Sequence, residues 1–288
     1  MQRRHGRCII VTVYLRDRST NFIRAIRSTS IDQKLTLWLC SLAALTAFNV
    51  GLWIWIARSA PLSKPYVMTQ LLLSGVYVGV CGFRSLFPRV DLERRCLWDS
   101  WLSTIMLGRT SATIAELCFA LQCALFVQRL SAITGLASLG VGAHIFVPVA
   151  FFAELVCWYA VLSLNHIGHA IEESLWALLM LFLSATFATA AHAAHGPIRM
   201  MLIAGFVVYG AGAGLTMAFD VRMYVRRWRL QPAGGYMTLV TGLRDSRHRR
   251  HPTLAWEAWR EEVPWMTLYF SIGAWTSLAL VLLEWVRL

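Results

Sequence analysis

The feature that most constrains this chain is a series of apolar blocks, each about 20 residues long, set apart by short polar or basic stretches. A helix of that length, rising 1.5 Å per residue, crosses roughly 30 Å of hydrocarbon. In hydrocarbon every backbone N–H and C=O has to be bonded within the protein, which leaves helices and closed barrels as the spanning structures. Barrel strands alternate polar and apolar residues over about ten positions, and these blocks do not alternate. The expectation is an all-α polytopic membrane protein, a bundle of seven transmembrane helices over 35–57, 66–86, 102–128, 139–163, 171–193, 197–220 and 264–286. Charged residues make up 15% of the chain and hydrophobic ones 57%, whereas a soluble domain is about a quarter charged.

Local signals support these limits. Pro65 and Pro264 stand at helix starts, where a missing N–H costs nothing. Gly196 and Pro197 mark a turn between the fifth and sixth spans, and Pro148 lies inside the fourth and is expected to kink it. Trp38, Trp53, Trp55, Trp98, Trp101, Trp265 and Trp285 lie at block edges, where an indole has an apolar ring and a wet N–H.

Charge then orients the bundle. The N-terminal arm, the 84–109 region and the 221–263 loop hold 22 of the Lys and Arg residues, and the other side holds five. The positive-inside rule places the N-terminus in the cytoplasm and the C-terminus outside. Six or eight spans would break this alternation. The net charge of +12 is thereby explained by topology, and no zinc-finger, helix-turn-helix or RNA-binding signature points to nucleic acid. The host bilayer is the cell membrane if the source is bacterial.

The chain divides into a basic interfacial arm over 1–34 and the bundle over 35–288, with a cytosolic loop over 221–263. No signal peptide opens it: the apolar run Cys8–Leu15 is short and is followed by Arg16, Asp17 and Arg18. The expected partners are the lipid bilayer and, for the arginines of the loop, anionic lipid headgroups. Trp256 and Trp259 against Glu257, Glu261 and Glu262 suggest an amphipathic helix there, and a lid over a cytosolic site is the alternative use of the loop. Gly75-x-x-x-Gly79 and the Gly210–Gly214 run are close-packing signatures, used within the bundle or in a homodimer. The seven cysteines are odd in number and form no C-x-x-C pair, so neither a disulfide framework nor a structural zinc site is expected.

An ionisable side chain deep in a bilayer costs about 2.5–3.5 kcal/mol and needs a reason to be there. Three groups qualify. Arg109, Thr113, Glu116 and Cys123 share one face of the third span, and Glu154 stands at similar depth in the fourth, with Trp158 and Asn165 on its face. The two carboxylates would share a proton or be bridged by Arg109. The second group lies at the cytosolic end of the fourth and fifth spans: Asn165, His166, His169, Glu172 and Glu173, where His169 and Glu173 are four apart and can touch. Asp220, Arg222 and Arg84 could join it, and His166 with His169 form a candidate metal pair. The third is outer: His144, His192 and His195, conceivable haem or metal ligands. A desaturase-like di-iron site is disfavoured, because His169 and His192 are separated by about 34 Å of helix.

No Walker A, dinucleotide-binding, G-x-S-x-G or H-E-x-x-H motif is present. Lys34 and Lys64 lie outside the expected spans, which excludes a Schiff-base retinal protein. The cofactor remains unassigned. Three functions stay open: an enzyme acting on a lipid or other amphiphile at the cytosolic interface, with Asn165, His169, Glu172 and Glu173 as catalytic candidates and Arg84 and Arg222 holding an anionic headgroup; a proton-coupled transporter or channel using Arg109, Glu116 and Glu154; and a non-catalytic scaffold or sensor.

Overall fold

The computed structural model describes residues 32–232 and 234–283, so the expected interfacial arm, save residues 32–34, lies outside the described residues, as does the chain from 284 onward. Seven helices are long and apolar enough to cross a membrane. They are α1 (Gln33–Ser59), α2 (Pro65–Leu86), α3 (Ile105–Thr134), α4 (Ala137–Ser163) and α5 (His166–Ala193), then two interrupted helices. α6 runs Gly196–Leu215, passes through a π-helical turn at Thr216–Val221 and ends with Arg222–Leu230. After two short helices in the last loop, α7 (Leu239–His248) and α8 (Trp256–Trp259), the final span α9 runs Val263–Leu268, a π turn at Tyr269–Gly273 and Ala274–Leu283.

Three boundaries differ from the sequence expectation by five residues or more. α3 runs on to Thr134 and not 128, and ends where Gly135 takes a left-handed conformation at φ 72°. α5 starts at His166 and not at 171, because Asn165 caps it: Oδ1 accepts from the Ile167 N–H at 3.1 Å. Leu164 takes a left-handed conformation at φ 57°, which reverses the chain in two residues with neither glycine nor proline to announce it. α6 continues past 220, since its π turn absorbs an extra residue without breaking the helix.

Each of the first six spans packs against the next, and α9 lies against α1, α2 and α3. An amide pair pins three of them. Gln70 and Gln122 each donate to the other's backbone carbonyl at 3.1 Å, and Ser277 Oγ donates to Gln122 Oε1 at 2.5 Å. The π turn of α9 is held by Asn49, whose amide donates to the Phe270 carbonyl at 2.9 Å. Gly75 packs on the Trp53 indole and Gly210 on Ser184, so these glycines serve packing inside the bundle, while Gly79 and Gly214 meet no neighbour within 4 Å.

The long connections, 87–104 and 231–262, emerge at one end of the bundle; the turns at the other end are 60–64, 135–136 and 194–195. The half of the bundle nearer the short turns is filled by apolar side chains of α3, α4 and α5, with Phe126, Phe146, Leu183 and Phe187 at its centre.

At the loop-bearing end the connections fold into a cap. β1 (Arg89–Val90) and β2 (Arg95–Cys96) form a hairpin, and β3 (His251–Pro252) joins β2 in parallel. The cap closes the C-terminus of α4, whose last carbonyls have no partner within the helix. Val161 O accepts from Arg94 Nη2 at 2.9 Å, Ser163 O from the Met237 N–H at 2.9 Å and Leu164 O from Gln231 Nε2 at 2.6 Å. α7 crosses so closely that a Cβ on Gly242 would fall 1.8 Å from Leu162 O. Arg94, 2% exposed, is the centre of the cap: it also donates to Asp245 Oδ2 at 2.7 Å and to Asp91 O at 2.6 Å. The expected amphipathic helix is only the single turn α8, and Trp259 is fully buried against Trp38, with ring centroids 5.9 Å apart.

Arg94→Leu leaves Asp245 without its buried counter-charge and three acceptors open, a loss of about 3–5 kcal/mol. A fall in the melting temperature of the detergent-solubilised protein, absent in Arg249→Ala, where only exposed contacts to Asp245 and His251 are lost, is the expected result.

Candidate functional site

The tight α4–α5 turn determines how the polar residues meet. Gly168 lies so close to α4 that a Cβ there would come 2.7 Å from the Ala160 Cβ. The two helices therefore run in contact, and Cys157 on α4 faces His169 and Glu172 on α5. Glu154 is one turn before Cys157 on the same face. The sequence reading kept the Arg109–Glu116–Glu154 group and the His169–Glu172 group apart; in the fold they are one cluster. One oxygen each from Glu116, Glu154 and Glu172 lie within 4.8 Å of one another.

Arg109 bridges the first two carboxylates. Its Nη2 donates to Glu116 Oε2 and, at 2.9 Å, to Glu154 Oε2. Thr113 Oγ1 donates to the same Glu154 oxygen at 2.5 Å, and the Trp158 indole N–H donates to Thr113 at 3.1 Å. Glu116 Oε1 accepts from the Tyr269 hydroxyl at 2.7 Å and stands 4.0 Å from Arg84 Nη1. The Arg84 guanidinium lies over the rings of Tyr269 and Phe270. Arg84 thus belongs with Glu116, at the end of the cluster away from His169. Glu154 Oε1 has no hydrogen-bond partner, although the residue is 1% exposed.

On the α5 side His169 contacts Glu172 and not, as expected, Glu173: Nδ1 is 2.6 Å from Glu172 Oε2. The start of α5 at His166 directs Glu172 toward α4, while Glu173, half-buried, faces the neighbourhood of Asp220 and Tyr224. Cys157 Sγ lies 4.0 Å from the same His169 nitrogen. The rings of His169 and His166 stack on Tyr224 with centroids 5.0 and 6.3 Å away. His166 therefore shares an aromatic neighbour with His169 and not a ligand group, because the third ligand-bearing side chain beside His169 is Cys157. Asn165 is the cap of α5, Asp220 is half-exposed in the π turn of α6, and Arg222 is exposed beyond it. Cys123 lies deeper, in the apolar core. His144, His192 and His195 are exposed at the far end and enter no ligand group among the described residues.

Where the cap meets the cluster stands a buried pair outside the spans. Arg89 Nε donates to Asp91 Oδ1 at 3.1 Å, its two terminal nitrogens have no partner, and the guanidinium fills the notch left by Gly108, where a Cβ would sit 1.2 Å from Cζ. Burial pulls the Arg89 guanidinium down to about 10. Burial alone would raise the Asp91 carboxyl, but the charges of Arg89, Arg84 and Arg109 outweigh it and hold the carboxyl below its usual value of 3.8.

Cys157, Tyr224, Tyr269, Arg89 and Asp91 were not singled out from the sequence. Cys157 had a usable signal, its i+3 spacing from Glu154. Tyr224 and Tyr269 had none, since the π turns that present their helices to the cluster leave no mark in apolar periodicity.

No family model matches the chain, and neither a curated protein nor a solved structure matches it.

Two outcomes follow. Arg109→Leu leaves Glu116 and Glu154 buried without their shared cation and lowers stability by about 3–5 kcal/mol, part of which Arg109→Leu/Glu154→Leu recovers; thermal melts of the two variants provide the comparison. Because the Asp91 carboxyl is depressed in the fold, its contribution is full above its usual value and fades as pH falls below 3.8. Asp91→Asn should therefore melt earlier than the parent protein at neutral pH, with the gap closing in acid.

Proposed function

We propose that this chain is a membrane-embedded enzyme that acts on an amphiphile, with its reacting groups at the loop-bearing end of the bundle. The observation that carries this reading is the convergence of Arg109, Glu116, Glu154, Cys157, His169 and Glu172 from three helices on one buried cluster. Burying these groups is expensive, and a cluster of mutually close ionisable groups kept despite that cost fits a reacting site. The His169–Glu172 contact gives the imidazole an oriented partner, which acid–base work requires. Glu173 and Asp220 are half-buried, which suits the side from which a headgroup would come. Arg222, exposed just beyond, fits the anchoring of an anionic headgroup. Beside the turn that carries Glu116, an open apolar groove of about 590 Å³ runs between α3 and α4 past Leu117, Leu121, Pro148 and Phe151. It suits an acyl or prenyl chain lying alongside the bundle.

Transport through the Glu116–Glu154 layer is the runner-up. Against it stands the packing of the half beyond this layer, where Phe126, Phe146, Leu183 and Phe187 fill the space between α3, α4 and α5, and the buried amides of Gln70 and Gln122 are bonded to each other's backbone. A scaffold role leaves the cluster without use.

The test is reconstitution of the protein in vesicles made from a total polar lipid extract, with lipids followed by mass spectrometry over time. The expected result is conversion of one lipid class, lost by about a hundredfold or more in Glu172→Gln and His169→Ala at unchanged melting temperature. No conversion, together with a proton flux abolished by Glu116→Gln/Glu154→Gln, would replace this reading by transport. Neither conversion nor flux would leave the scaffold.

A further inference from the structure

The placing of Cys157 beside His169 has a geometry that a nucleophile–histidine–acid relay does not explain. In a nucleophile–histidine–acid relay the nucleophile and the acid address opposite nitrogens of the imidazole, so that one takes a proton while the other steadies the ring. Here Cys157 Sγ at 4.0 Å and Glu172 Oε2 at 2.6 Å both address Nδ1. A thiol, an imidazole nitrogen and a carboxylate converging within 4.8 Å of one another are instead donors arranged around a common point.

Glu154 supplies a second, independent observation. One of its oxygens lies within 4.8 Å of an oxygen of Glu172 and one of Glu116, on the side of Glu172 away from the Cys157–His169 group, and Oε1 is left without a hydrogen bond in a residue that is 1% exposed. A buried carboxylate oxygen without a donor is costly and calls for one. Its other oxygen is already positioned by Arg109 and Thr113, and Tyr224 stacks on the face of His169. Partners of this kind orient metal ligands from behind. Charge agrees: Glu116, Glu154 and Glu172 outnumber Arg84 and Arg109 around the cluster, and a dication offsets the excess together with a thiolate.

We infer that Cys157, His169 and Glu172 form a binding site for a divalent transition metal of the zinc class, with Glu154 standing beside Glu172 as the carboxylate that can close the fourth position. Sulfur, nitrogen and carboxylate oxygen together select zinc or its neighbours over magnesium and calcium, which take oxygen alone. On binding, the Cys157 thiol releases its proton to solvent and bonds through the thiolate. The proton shared between His169 Nδ1 and Glu172 moves to Nε2, so that Nδ1 presents its lone pair. The His169–Glu172 hydrogen bond opens from 2.6 Å to about 3.4 Å, the separation of two ligands around a tetrahedral zinc with bonds near 2.1 Å. The site does not depend on the bundle being an enzyme, since metal binding is read without an activity.

The experiment is titration of chelator-treated, detergent-purified full chain with Co²⁺, followed by visible and near-ultraviolet absorption, with elemental mass spectrometry of the untreated protein in parallel. The expected result is about one equivalent bound, with a thiolate-to-cobalt charge-transfer band. Cys157→Ser, nearly isosteric, loses the band, and His169→Ala loses the metal. Thr113→Val, which removes the donor behind Glu154, weakens binding about tenfold or more. His192→Ala, at the far end of α5, binds as the parent does. Absence of cobalt binding by parent protein that melts cooperatively overturns the site. So does a spectrum that Cys157→Ser leaves unchanged, or metal retained equally by all variants.

Discussion

Everything at the loop-bearing end depends on how Arg109 is held between two carboxylates. A guanidinium and carboxylates taken out of water lose hydration that hydrocarbon cannot replace, so they are tolerable only when each donor and acceptor is supplied by protein. Arg109 does this for one oxygen each of Glu116 and Glu154, and Thr113, Trp158, Tyr269 and Arg84 extend the shell, which leaves Glu154 Oε1 and Arg109 Nε open. These partners come from α2, α3, α4 and α9. The ion cluster is therefore what fixes the relative placement of these spans, and apolar packing, which discriminates weakly between helices in lipid, fills in around it.

The same constraint shapes the cap. α4 ends beneath a folded layer, where its last carbonyls are no longer free to meet water. The chain answers with Arg94, Gln231 and Met237, one to each carbonyl. The crossing of α7 over Leu162 then leaves room only for glycine at 242. The cap and the cluster meet at Arg89 and Asp91, where charges of the loop and of the spans influence one another.

The seven spans were legible because hydrocarbon imposes a length and a composition on each, and Pro65 and Pro264 punctuate them. The facing of Arg109, Glu116 and Glu154 was legible too, from helical spacing and depth. What the sequence hid was the merger with His169 and Glu172. That depends on a two-residue reversal at Leu164 and Asn165, made without the usual turn residues, which starts α5 five residues earlier than its apolar block suggests. It hid Tyr269 and Tyr224 for a related reason: each sits in or just after a π turn, and one extra residue per turn shifts which side chains face inward. Cys157 was read as a small apolar residue because most buried cysteines are.

The bonds that close α4 also bear on how the protein is made. Membrane helices enter the bilayer in the order of synthesis, so α1 to α5 are in place before Gln231, Met237 and Tyr269 exist. Until then the Ser163 and Leu164 carbonyls lack their donors and Glu116 lacks its hydroxyl donor. The nascent bundle is thus an intermediate with charges in lipid and open acceptors, and the part of the chain from Gln231 onward is what supplies these donors. A ribosome that stops after α6 would release a product with correctly inserted helices and an unfinished interior, the kind of species that membrane quality-control proteases degrade.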